Sequence, residues 1–224
     1  MPSQLDRRKA TQRRALKKQS ARRRKFHAIR VAIAKAAKNI ATRRKLIRAA
    51  EAPPGQLALQ AAGTMLGKTE SNNRAPWLQS MIDYVVKAGG ALTWMVGQPY
   101  CGLGVIWSYL KGAGLKLPDG TVYTPNILSY HGETFTAKDG RRYVLRRVAP
   151  EQAHPGAIVV MDFTPGTGAD HVALARGPMR GGVIPTREFN TSPSNGGSQA
   201  NGGGVYDRTR PRAFVLGVLN VVPA

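Results

Sequence analysis

Among the residues able to do covalent chemistry, the single cysteine stands in the most informative place. Cys101 follows the turn-forming run Gly97-Gln98-Pro99-Tyr100 and opens a predicted helix that buries Val105, Ile106, Tyr109 and Leu110 and ends at Gly112 or Gly114. The first amides of a helix lack partners and its N-terminal end carries partial positive charge, a setting that favours a thiolate. Gly102 and Gly104 add little bulk, which would let a substrate backbone come close. A cysteine nucleophile also needs a general base. His27 lies in a basic run, His131 opens a loop, and His154 precedes Pro155-Gly156 in a turn. His171 differs, because it stands between a Gly-rich loop and the apolar strand Val172-Ala173-Leu174. The imidazole in turn needs an orienting acceptor. In Arg187-Glu188-Phe189-Asn190-Thr191, period-two alternation sends Glu188 and Asn190 to one face, so either could serve.

These groups must be positioned by a mixed domain. Asn72 or Asn73 can cap a helix that takes Pro76 into its first turn, buries Trp77, Met81, Tyr84 and Val85, and stops at Gly89-Gly90. The Cys101 helix comes next. After Asp119-Gly120 the pattern turns to period two, and 133–137 and 141–148 read as a hairpin about Lys138-Asp139-Gly140. Further strands are expected at 157–163, 171–175, 183–190, 205–207 and 214–222. Helices first and strands after predict an α+β domain with an antiparallel sheet.

Four of these segments, in this order, carry a resemblance: Gly97-Gln98-Pro99-Tyr100-Cys101-Gly102, Pro155-Gly156-Ala157-Ile158-Val159-Val160-Met161, Asp170-His171-Val172-Ala173-Leu174, and Glu188-Phe189-Asn190-Thr191. They resemble the CHAP family of cysteine, histidine-dependent amidohydrolase/peptidases, close to the NlpC-like peptidoglycan hydrolases and of the phage endolysin type. The lead-in Lys68-Thr69-Glu70-Ser71-Asn72-Asn73-Arg74 and the Gly-rich end with Arg208 and Arg210 are similar too. The resemblance spans residues 68 to 222 and implies a papain-like CHAP/NlpC-type fold. It implies Cys101 as nucleophile, His171 as base, Glu188 or Asn190 as orienter, and the Cys101 N–H with Gln98 and Tyr100 around the oxyanion and substrate. The implied substrate is an amide of peptidoglycan, either the muramoyl to L-alanine link or a bond of the stem or cross-bridge peptide. Some relatives bind calcium through aspartates just before the cysteine; residues 91–100 contain none, so no metal and no other cofactor is expected.

The 34 Lys+Arg and 12 Asp+Glu are unevenly spread. Residues 1–50 hold 18 bases and one acid, net +17, against 16 bases and 11 acids afterwards, net +5. The expected organisation is a basic, partly helical or disordered arm over 1–50, a linker over 51–68 around Pro53-Pro54-Gly55 that can hold a short helix from Gln56 to Met65, and the CHAP-like domain over 69–224. Within the arm, Ile29, Ile33, Ala36, Ile40 and Ile47 form a thin helical stripe. Such a segment suits anionic envelope polymers, lipopolysaccharide or phospholipid headgroups. It also suits nonspecific binding of nucleic acid, although Phe26 is the one aromatic able to stack a base. A rival reading is therefore a nucleic-acid-binding or virion structural protein on an inactive scaffold. One cysteine excludes an internal disulfide framework and a multi-cysteine zinc module. No apolar run approaches the roughly 20 residues that span a bilayer, and no signal peptide is recognised. A monomer is expected, resident in the host cytoplasm before release to the wall, or virion-associated.

Overall fold

Small residues set the packing of the helices. The computed structural model describes residues 35, 37–39, 52–164, 166–194, 197–199 and 201–224. By Cα proximity the chain divides into two units, Met1–Glu51 and Ala52–Ala224. In the first, Lys35 and residues 37–39 are helical and exposed, and the rest of the expected basic arm lies outside the described residues.

The second unit opens with α1, Pro54–Gly63. The short helix expected from Gln56 to Met65 within the linker is present and begins two residues earlier. Pro54 occupies the first turn, where its missing N–H costs nothing, and Ala58, Ala61, Ala62 and the following Met65 bury one face. Helix α2 spans Pro76–Lys87 and buries Leu78, Met81, Ile82 and Val85, leaving Trp77 and Tyr84 half-buried. Its N-cap is Ala75, not Asn72 or Asn73, which instead adopt left-handed φ of 53° and 56° in the turn joining Ser71 to Arg74. Helix α3 spans Cys101–Ala113 and ends on Gly114 in the left-handed conformation that glycine tolerates. A side chain at Gly112 would overlap the Leu57 carbonyl, so α1 and α3 meet backbone to backbone.

Among the described residues the strands form one seven-stranded antiparallel sheet in the order β1-β2-β7-β3-β4-β5-β6. They are β1 Thr134–Thr136, β2 Arg142–Val148, β3 Ile158–Met161, β4 His171–Ala175, β5 Val183–Thr191, β6 Gly204–Pro211 and β7 Val215–Pro223. Period two divides β3 and β4 between two cores. Ile158, Val160, Val172 and Leu174 join the helices, while Val159, Met161, Ala173 and Ala175 join a smaller cluster with Ile184, Val215 and Val218. Both strands are therefore buried on both faces, giving His171 a rigid seat. The architecture is α+β with an antiparallel sheet.

Candidate active site

Cys101 is the first residue of α3 because Pro99 ends the preceding segment and Gly97, at φ 79°, turns the chain into the helix. Gly104 N–H is bonded to the Tyr100 carbonyl, and the amides before it belong to the helix end that has no internal acceptors. The two glycines beside the sulfur do not open it to a substrate, as their small size suggested. A side chain at Gly102 would overlap the Thr121 carbonyl, and one at Gly104 would overlap the Phe189 ring. They are small because protein already fills that space. Cys101 keeps 4% of its surface exposed.

His171, fully buried, lies within hydrogen-bonding reach of the Cys101 side chain. Its Nε2 is 3.3 Å from Glu188 Oε2. The β4–β5 register explains that proximity. Leu174 pairs Arg187 and Ala175 pairs Thr186; continued, this sets Ala173 opposite Glu188 and makes His171 and Glu188 diagonal neighbours on one face. Neither ring nitrogen has an aligned hydrogen bond, so the Glu188 contact is electrostatic rather than directional. Burial acts most strongly on His171 and opposes its charge, but Cys101 and Glu188 together outweigh it and raise the pKa from 6.5 to about 9.

Glu188 is also fully buried, and burial alone would make it a neutral acid. Arg210 and His171 reverse this and hold its pKa at about 2. Arg210 Nε donates to Oε1 at 2.7 Å, Nη2 donates to Oε2 at 2.5 Å, and Thr186 Oγ1 donates to Oε1 at 2.5 Å.

Asn190 departs from the expected alternation. It takes a φ of 60° at a bulge between Phe189 and Thr191, where β5 and β6 slip register, and its amide donates to Asn201 Oδ1 at 3.2 Å. Of the two candidate orienters, Glu188 is the one paired with His171. Tyr100 was expected to line the substrate site. It is fully buried, with its ring edge-on to Trp77 at 5.6 Å and its hydroxyl pKa raised by burial, so it is a wall and not a contact surface. Gln98 is exposed in the turn three residues before the sulfur. His131 Nδ1 accepts the Arg147 N–H at 3.1 Å, and the His154 N–H donates to Asn220 Oδ1 at 2.9 Å; neither joins the Cys101 group. His27 lies outside the described residues.

Sequence does not single out Phe163 or Thr186, and it marks Arg210 only as part of the Gly-rich end. Phe163 lies with its ring centroid 5.5 Å from that of His171, Thr186 bonds Glu188, and Arg210 closes the cluster. The loop between β3 and β4 is held by its own acids. Asp162 accepts from the Thr164 and Gly166 amides, while Asp170 accepts from the Phe163 amide, which places the Phe163 ring beside His171. The lead-in 68–74 is a clasp on the sheet, with the Glu70 N–H donating to the Gly203 carbonyl and the Val205 N–H to the Lys68 carbonyl. No group of three or more His, Cys, Asp or Glu placed to share a metal ion occurs among the described residues. No helix among them is long and apolar enough to cross a membrane.

No family model matches the chain, and no curated protein matches it. Among solved structures it is similar to one described as the crystal structure of Ly7917, at 15% identity and a TM-score of 0.34. The match covers 74% of this chain and 61% of that chain, so this chain spans less than two thirds of its length.

Proposed function

We propose that the protein is a CHAP-like cysteine amidohydrolase/peptidase of papain-like type that cleaves an amide bond of peptidoglycan, with residues 1–50 as a cationic arm for the anionic envelope. The observation that supports the chemistry best is the convergence of Cys101, His171 and Glu188 from one helix start and two strands. In the proposed reaction His171 takes the thiol proton and the sulfur attacks the amide carbon. The oxyanion is held by the Cys101 N–H at the helix start; removing one such donor typically costs about 2.7 to 4 kcal/mol of barrier. The imidazolium then protonates the leaving amine, which departs and leaves a thioester. Water, deprotonated by His171, releases the acid and restores the thiol. Glu188 stabilises the imidazolium throughout.

The substrate class rests on the ordered motifs, and the arm's role on its charge. Digestion of purified cell walls by the wild type and by Cys101→Ala, with mass spectrometry of the fragments, tests both the reaction and the bond cut. Equal release of fragments by the two proteins would end the hydrolase reading.

A further inference from the structure

Arg210 is a buried cation to which the proposed reaction assigns no role. It keeps 3% of its surface exposed, and a charge so far from water persists only where it is paired. Its fork holds both oxygens of Glu188, at 2.7 and 2.5 Å. Nη2 also donates to Thr191 Oγ1 at 3.0 Å and Nη1 to Gln199 Oε1 at 2.8 Å. The guanidinium carbon lies 4.7 Å from the centroid of the Phe163 ring, the same ring that neighbours His171. Glu188 is thus gripped by Arg210 and Thr186, and its Oε2 is presented to His171 Nε2.

We propose that Arg210 is a positioning residue that keeps Glu188 ionised and aimed at His171, and through Glu188 sets the charge of the imidazole facing Cys101. This rests on reading Cys101 and His171 as nucleophile and base. The physical chain has two steps. Burial is the largest influence on both Glu188 and His171, and it opposes the charge of each. Without Arg210 the buried carboxylate loses its strongest counterweight and takes a proton. A neutral Glu188 then leaves the burial of His171 much less opposed, and the imidazole sheds its proton near neutrality. The groups around the ring are Cys101 from α3, Glu188 from β5 with Arg210 from β6 behind it, the uncharged Phe163, and Tyr100 beside Cys101, kept neutral by burial. A lysine supplies the charge without the planar fork that fits two carboxylate oxygens.

The test is a nitrogen-15 NMR titration of His171 in the full chain. The wild-type midpoint is expected at about 9. In Arg210→Met, with the fold verified by near-ultraviolet circular dichroism, it should fall below about 7, as it should in Glu188→Gln. Arg210→Lys should give a smaller downward step. A residue needed only for packing would lower the melting temperature and leave the midpoint in place. An unchanged midpoint in folded Arg210→Met overturns the inference; if that variant does not fold, an unchanged midpoint in Arg210→Lys does so. The readout needs no substrate, so a wild type that fails to cut cell walls counts against the hydrolase reading and not against this one.

Discussion

Gly104 and Phe189 touch across the interface between the cysteine helix and the sheet: any side chain at Gly104 would overlap the Phe189 ring. Gly104 is one turn after Cys101, and Phe189 is the neighbour of Glu188. The contact therefore sets how far the Cys101 helix stands from the strand that carries Glu188. Gly104→Val should destabilise the protein by about 1–3 kcal/mol, the usual cost of overpacking, read as a lower urea midpoint. Adding Phe189→Ala should return part of that loss, because the two residues share one space. Simple additivity of the two substitutions would show that the contact does not set the spacing.

Glu188 and Asn190 can be separated by activity. Glu188→Gln removes the charge opposite His171 and should lower kcat on cell-wall substrate by about a hundred- to ten-thousand-fold, with KM little changed. Asn190→Gly keeps the left-handed φ of 60° accessible and loses the amide bonded to Asn201, so its effect on kcat should be much smaller. The reverse ranking would assign the orienting role to Asn190.

What could be read from sequence was what local chemistry decides. Pro99 and Gly114 punctuate α3, and β4 runs over the residues 171–175 expected of it, because each is an apolar run with clear stops. The Pro53-Pro54-Gly55 run reads as a helix breaker, yet α1 starts within it at Pro54 rather than at Gln56, since breakers at a helix start and in a linker look alike. Gly55 is needed there because a Cβ would lie 2.7 Å from the Pro155 carbonyl. Strand β6 extends to Pro211, well past the expected 205–207, because its polar residues are pairing partners rather than turn formers: the half-buried Asp207 pairs Arg187 and the buried Arg210 pairs Glu188. Arg210 could not be matched to Glu188 beforehand, since the register of β5 with β6 depends on a long Gly-rich connection and on the bulge at Asn190. Alternation alone put Glu188 and Asn190 on one face; a single positive φ separates them.

The buried His171–Glu188 pair makes stability depend on pH in a defined window. The His171 pKa is raised on folding, from 6.5 to about 9, so its contribution is complete below 6.5 and is lost as pH rises toward 9. The Glu188 pKa is lowered on folding, from 4.5 to about 2, so its contribution is complete above 4.5 and is lost as pH falls toward 2. Both are in place between 4.5 and 6.5, where urea unfolding should show these two contributions at their maximum. In His171→Gln the decline between 6.5 and 9 should flatten, and a decline of wild-type steepness in that variant would assign it to other groups.

The charge of residues 1–50 makes a separate prediction about targeting. The unit from Ala52 onward holds the three helices, the sheet and both apolar clusters, so a chain lacking residues 1–50 should fold with a melting temperature close to that of the full protein. Its cleavage of purified cell walls should be largely kept, since Cys101, His171 and Glu188 all belong to that unit. Action on whole cells should fall, and most at low salt, because a net charge of +17 attracts an anionic surface over about 30 Å at 0.01 M ionic strength but only about 8 Å at 0.15 M. Lysis rates of the two chains compared across that salt range measure the arm directly. Equal rates at low salt would remove the arm from targeting and leave its charge to another partner, such as nucleic acid.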